Sequence, residues 1–122
     1  MARKSALRER VTDLIASAGL GTVRSQPVEH DKLYCWQQIV WQTDKVLADG
    51  NGRARLYIEG SGYKHFLCEW APVAASRLYP YNEDVWLTPG ERIALDLDHN
   101  QATTKVEINM TGYWTDQAEG MA

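Results

Sequence analysis

The side chains able to do chemistry in this 122-residue chain are few and poorly spaced for it. Its three histidines, His30, His65 and His99, fall in a linker, a strand-like run and a loop-like run, with no H-x-H or H-x-x-H pair. A metal centre needs several such ligands brought to one point. Here it would have to be collected from distant segments, so no metal ligand is assigned. Asp96 and Asp98 share one side of a period-two segment, and Glu107 lies on the segment after it. Two carboxylates can run glycoside chemistry when one sits in an apolar pocket with a raised pKa. With Lys105 and Arg92 close by, a solvated charged surface is the expectation instead. Gly50-Asn51-Gly52 and Gly60-Ser61-Gly62 lack the strand-to-helix context of a phosphate cradle and are taken as hairpin turns. No Ser/His/Asp or Cys/His grouping can be argued, and the sequon at Asn109 lies inside a strand-like run. The expectation is a protein that is not an enzyme and carries no cofactor.

The aromatic side chains carry more weight. Five tryptophans and six tyrosines stand against one phenylalanine. Core filling explains some of them, but each buried indole N–H or phenol needs a partner, which makes Trp and Tyr costly as pure core. Both are enriched at protein interfaces, and their flat faces suit stacking on sugar rings. Tyr57, Tyr79, Tyr81, Trp86 and Trp114 are the candidate contact residues. Arg77-Leu78-Tyr79-Pro80-Tyr81-Asn82 is the best single recognition loop. A second candidate surface is the apolar stripe Leu7, Val11, Leu14 and Ile15 near the N-terminus.

The elements that must position these residues are mostly strands. In Arg92–Asp98 the odd positions are apolar, and in Lys105–Thr111 the even ones are, so each segment has one buried and one wet face. Leu33–Thr43 holds large apolar groups on both sides, as a central strand covered on both faces would. Arg53–Gly60 and Tyr63–Trp70 form a hairpin. A three-residue loop with Gly62 left-handed sets Leu56 opposite Phe66 and Tyr57 opposite His65; a two-residue loop would set Tyr57 opposite Phe66 and mix the faces. Asp84–Leu87 is a short strand, and Pro89-Gly90 a turn with Gly supplying positive φ. The last two segments are expected to pair as a second hairpin, Asp96 opposite Lys105. The one predicted helix covers residues 5–18, where Leu7, Val11, Leu14, Ile15 and Ala18 recur at helical spacing between Ser5 as cap and Gly19 as stop. The fold class is therefore mainly β: a single-domain antiparallel β-sandwich, jelly-roll-like, preceded by one N-terminal amphipathic helix. The expected divisions are 1–20 as helix or arm, 21–115 as sandwich and 116–122 as tail.

Composition sets the outer limits. Charged residues make up 24% and apolar ones 44%, ordinary for a folded domain. A net charge of −3 argues against nucleic acid as a partner. No apolar run approaches the roughly 18 residues that span a bilayer, so no membrane partner is expected. The N-terminus has charge but no apolar h-region, so no secretory signal is expected. Cys35 and Cys68 have no ligand spacing and are expected to be reduced core residues.

The runs Leu56-Tyr57-Ile58-Glu59-Gly60-Ser61-Gly62-Tyr63, Asp84-Val85-Trp86-Leu87-Thr88-Pro89-Gly90-Glu91-Arg92-Ile93 and Met110-Thr111-Gly112-Tyr113-Trp114 resemble those of small β-sandwich structural proteins of tailed-phage virions. The resemblance covers about residues 53–114. It implies a capsid decoration, minor capsid or tail component found in the virion, made in the host cytoplasm. Such proteins are commonly homo-oligomers, often trimers, that attach to other virion proteins by a terminal arm. A carbohydrate-binding module, with glycans as partners, is the alternative.

Overall fold

The spacing of four that marks residues 5–18 as a helix is an even number, and even spacing also keeps a strand's side chains on one side. In the computed structural model, which describes residues 5–47, 52–71 and 73–117, the segment is not helical. It is strand β1, Ser5–Ile15. It pairs antiparallel with β9, Thr104–Asp116, from Ser5 opposite Trp114 to Ile15 opposite Thr104 without a register break. Leu7, Val11 and Ile15, half-buried, pack against the chain's own core. Leu14, the member of the stripe at odd spacing, is 50% exposed on the other side. The β-branched Val11, Thr12 and Ile15 favour the extended chain. A continuous ladder supplies what an isolated helix of this length lacks in water. The expected helix is thereby corrected, and residue 20 marks no structural division, because β1 is a full member of the sandwich.

The remaining strands are β2 (Gly19–Arg24), β3 (Lys32–Thr43), β4 (Ala54–Gly60), β5 (Tyr63–Trp70), β6 (Tyr79–Tyr81), β7 (Val85–Leu87) and β8 (Arg92–Asn100). They form two antiparallel sheets. The larger has the order β1-β9-β3, with β6 and β7 side by side on the outer edge of β3. The smaller has the order β2-β8-β4-β5. Val23, Leu56, Ile93, Leu95 and Leu97 from the smaller sheet meet Trp36, Ile39, Trp41, Val106, Ile108 and Met110 from the larger.

The expected hairpin of the last two strands does not exist. β8 lies between β2 and β4, β9 lies between β1 and β3, and Asp96 faces Thr22 and Arg55 rather than Lys105. Each segment buries a whole apolar side, so each is most stable as an inner strand flanked on both edges. Two such strands joined by a short loop satisfy this best from opposite layers.

Two bulges decide which side chains reach the surface. In β3 the register shifts between Trp36 and Gln38. Tyr34 and Trp36 therefore share the inner side with Ile39 and Trp41, although their parity differs. Cys35, Gln38, Val40 and Gln42 share the outer side. In the β4–β5 hairpin the loop is the two-residue Ser61-Gly62, with Gly62 at φ 79°. Tyr57 sits opposite Phe66, and the register then shifts to set Leu56 opposite Cys68. The three-residue loop is thus corrected: an extra residue at Leu67 restores the apolar facing that the short loop alone would have lost. Gly90, at φ 86°, holds the turn after Pro89 as expected.

Candidate ligand-binding face

Parity and register assemble four rows of side chains on the outer side of the larger sheet. Trp86, Cys35, Tyr113 and Ala6 form the first. Gln38, Thr111 and Arg8 form the second; Pro80, Val40, Asn109 and Arg10 the third; Gln42, Glu107 and Thr12 the fourth. From Tyr113 to Glu107 the face runs about 20 Å along β9, and about 15 Å across four strands.

Trp86 is its most prominent group. The flanking Val85 and Leu87 are buried and anchor β7, while the Trp86 indole between them is 50% exposed. Its ring stands edge to face with Tyr113 at 5.7 Å between centroids. Cys35 fills the floor beneath them and is fully buried. Burial first, then the Cys35 thiol and the Asp84 carboxylate, push the Tyr113 phenol up, so it stays neutral over the physiological range. Around this pair lie amides and hydroxyls: the Gln38 amide donates to Asn82 Oδ1 at 3.2 Å, and Asn109 donates to Glu107 at 2.9 Å. Asn109 and Arg10, 3.2 Å from the same carboxylate, hold Glu107 below the usual carboxylate range. At the far end the face falls into a cleft of about 240 Å³ lined by Thr12, Gln42, Ser76, Lys105 and Glu107.

The outer side of the smaller sheet is built on charge, with Glu59, Asp96 and Glu69 each tied to neighbouring side chains. Arg24 and Arg92 both donate to Glu59 Oε1, at 2.9 and 2.8 Å. Thr22 and Tyr57 both donate to Asp96 Oδ1 at 2.8 Å. Arg55 donates to Glu69 at 2.8 Å. Phe66, 57% exposed, lies against Tyr57, which is itself fully covered. Burial, followed by the bond to Asp96, raises the Tyr57 phenol far above its ordinary value. A raised acid pKa favours the protonated form in the fold, so this contribution is complete below the unfolded value near ~10 and is lost as pH rises above it. Tyr57→Phe is therefore expected to cost about 1–2 kcal/mol at neutral pH and to flatten the alkaline fall in stability. Urea unfolding at pH 7 and pH 10.5 checks both; equal alkaline slopes in the two proteins would refute it.

The residues singled out in the sequence scatter. Tyr79 is buried and stacks on Trp41 at 4.6 Å, with its hydroxyl accepting from the Ala74 amide. Tyr81 is half-buried on the core side, as is Trp114, whose ring lies under the Lys32 ammonium at 4.2 Å. Tyr57 is covered. Tyr79, Tyr81 and Trp114 therefore pack into or against the core, as do Leu7, Val11 and Ile15; Trp86 alone of the aromatic candidates is displayed. The indole N–H groups of Trp36 and Trp41 are buried and find no acceptor among the described residues, so the need for a partner did not keep these two out of the core. Asp96 and Glu107 belong to different sheets, so the carboxylate trio is not assembled. Asn82, the last residue of the recognition loop read from the sequence, does reach this face, whereas sequence reasoning passed over Tyr113, Gln38, Asn109, Thr111 and Arg8 as site residues. The odd-position polarity of Lys105–Thr111 already placed Asn109 and Thr111 on one side with Tyr113; nothing in sequence joined them to Trp86.

The fold and this face define a two-layer antiparallel β-sandwich that displays an aromatic pair within a polar field. No family model and no curated protein match the sequence. Among solved structures, a single-site variant of the carbohydrate-binding module CBM29-2 is similar at 13% identity and a TM-score of 0.44, covering 93% of each chain. A family 29 carbohydrate-binding module is similar at 12% identity and a TM-score of 0.43, covering 92% of this chain and 77% of that one. A third structure, described as CBM4, is similar at 12% identity and 0.41, covering 88% and 82%.

Proposed function

We propose that this chain is a carbohydrate-binding β-sandwich module whose ligand lies across the outer side of the larger sheet. The observation that carries the reading is Trp86, half exposed and held against Tyr113 in a field of amides, hydroxyls and a guanidinium. A sugar ring has an apolar C–H face and a polar rim. An indole face takes the first, and Gln38, Asn82, Thr111 and Asn109 can exchange hydrogen bonds with the second. Apart from Asn82, which follows β6, the groups stand on paired strands, so little ordering entropy opposes binding. The virion reading leaned on a terminal helix as tether. With that segment paired into the sheet, its remaining support is the resemblance over residues 53–114.

The test is a titration of the purified protein with cellohexaose, mannohexaose and a panel of other oligosaccharides, followed by tryptophan fluorescence and calorimetry. A ring stacked on Trp86 is expected to shift its emission and give a saturable binding isotherm. A flat response across the whole panel would sink the reading.

A further inference from the structure

The alternation of β1 sorts charge by sign. Glu9 and Asp13 share the inward side with Leu7 and Val11, whereas Arg8 and Arg10 point to the outer side of the larger sheet. Glu9 is half-buried and accepts the Gln26 amide at 2.8 Å. On the outer side Arg10 is paired with Glu107. Arg8 is exposed, and among the described residues no carboxylate lies within ion-pair distance of it. It sits opposite Thr111 and diagonal to Tyr113, at about 7 Å between backbones. The other carboxylate near the aromatic pair, Asp84, precedes β7 and so lies toward the opposite edge of the sheet. The face is therefore polarised: on the β1 side a guanidinium with no carboxylate partner among the described residues, on the β7 side a carboxylate, and two aromatic rings between them.

We propose that the ligand is an acidic glycan, with a sugar ring on Trp86 and Tyr113 and its carboxylate on Arg8. This rests on the glycan-binding reading and adds the ligand's charge and direction. A guanidinium presents two parallel N–H donors that match a carboxylate, and the pair gains strength from its charge. An arginine with no carboxylate partner among the described residues, beside an apolar stacking surface, supplies the two contacts a hexuronate needs, of which a neutral hexose needs chiefly the stacking one. Arg8 is thus a specificity residue, separate from the stacking residue Trp86.

Calorimetry compares oligogalacturonate, its methyl ester, a sulfated oligosaccharide and cellohexaose against wild type, Arg8→Gln and, on the opposite face, Lys64→Gln. Wild type is expected to bind oligogalacturonate about tenfold or more tighter than the ester or the neutral glycan. Arg8→Gln should erase that difference, weakening oligogalacturonate about tenfold and the neutral glycan by no more than about twofold, and Lys64→Gln should change nothing. Equal loss in Lys64→Gln would mean diffuse attraction and overturn the proposal. Preference for the sulfated sugar alone would overturn the carboxylate assignment. Wild-type binding indifferent to ligand charge would overturn the inference while leaving the glycan reading standing. Binding of no glycan at all would remove both.

Discussion

Replacing Gly112 by alanine is expected to destabilise the protein by about 3–5 kcal/mol, at the upper end of what single substitutions do. Gly112 lies on β9 opposite Trp36 of β3 and Leu7 of β1. A Cβ built there would stand 1.9 Å from the Cys35 carbonyl oxygen and 2.9 Å from the Trp36 Cα. Both obstacles are backbone, so no side chain can rotate aside. The close approach arises because the β3 register shifts between Trp36 and Gln38, next to this position. Making room would mean separating the two central strands of the larger sheet. It would also tilt Tyr113 and Thr111, and so disturb the candidate face. Urea unfolding of Gly112→Ala beside Thr111→Ala measures this: a lowered midpoint with an unchanged slope is expected only for the glycine. A loss below about 1 kcal/mol would show that the strands do not approach this closely.

Trp86→Ala is expected to leave the fold nearly intact and to weaken glycan binding about a hundredfold. The two halves of this expectation have different causes. Val85 and Leu87 are buried and keep β7 on β3, while the indole between them is half in water, so its removal opens no sealed cavity. A tryptophan at the centre of a binding face commonly carries about 2 kcal/mol or more of the affinity. Here the shape left behind, Tyr113 and the Cys35 floor, offers no second broad ring at that place. Trp86→Phe should retain part of the affinity, since it keeps a smaller flat face. Calorimetry with whichever oligosaccharide binds wild type, alongside thermal unfolding, separates the two effects. Unchanged affinity in Trp86→Ala would move the binding site off this face. A large fall in melting temperature would instead make the indole structural.

Local pattern was sufficient for much of the architecture. Alternation in Arg92–Asp98 and Lys105–Thr111 required two half-buried strands. That inference depends only on side-chain parity, which the backbone imposes residue by residue. The apolar groups on both sides of Leu33–Thr43, read as cover on both faces, come instead from the bulge after Trp36, which turns Tyr34 and Trp36 to the core with Ile39 and Trp41. The N-terminal segment shows where parity stops being decisive. Leu7, Val11 and Ile15 satisfy a helix and a strand equally, and only the long ladder with β9 chose between them. The site was legible in pieces: Trp86 was a candidate, and Asn109, Thr111 and Tyr113 lay on one side of one strand.

What no pattern could show was which strands are neighbours. The separation of β8 and β9 into different layers, and the meeting of Trp86, Cys35, Tyr113 and Arg8 on one surface, depend on contacts between segments far apart in the chain. So do the bulges at Trp36 and Leu67, each of which turns part of a strand over to suit its partner. Sequence by itself determined that the chain is a β-protein with alternating faces. Tertiary structure alone decided which faces are shown, because strand order is set by the whole core at once, not by any one stretch of it.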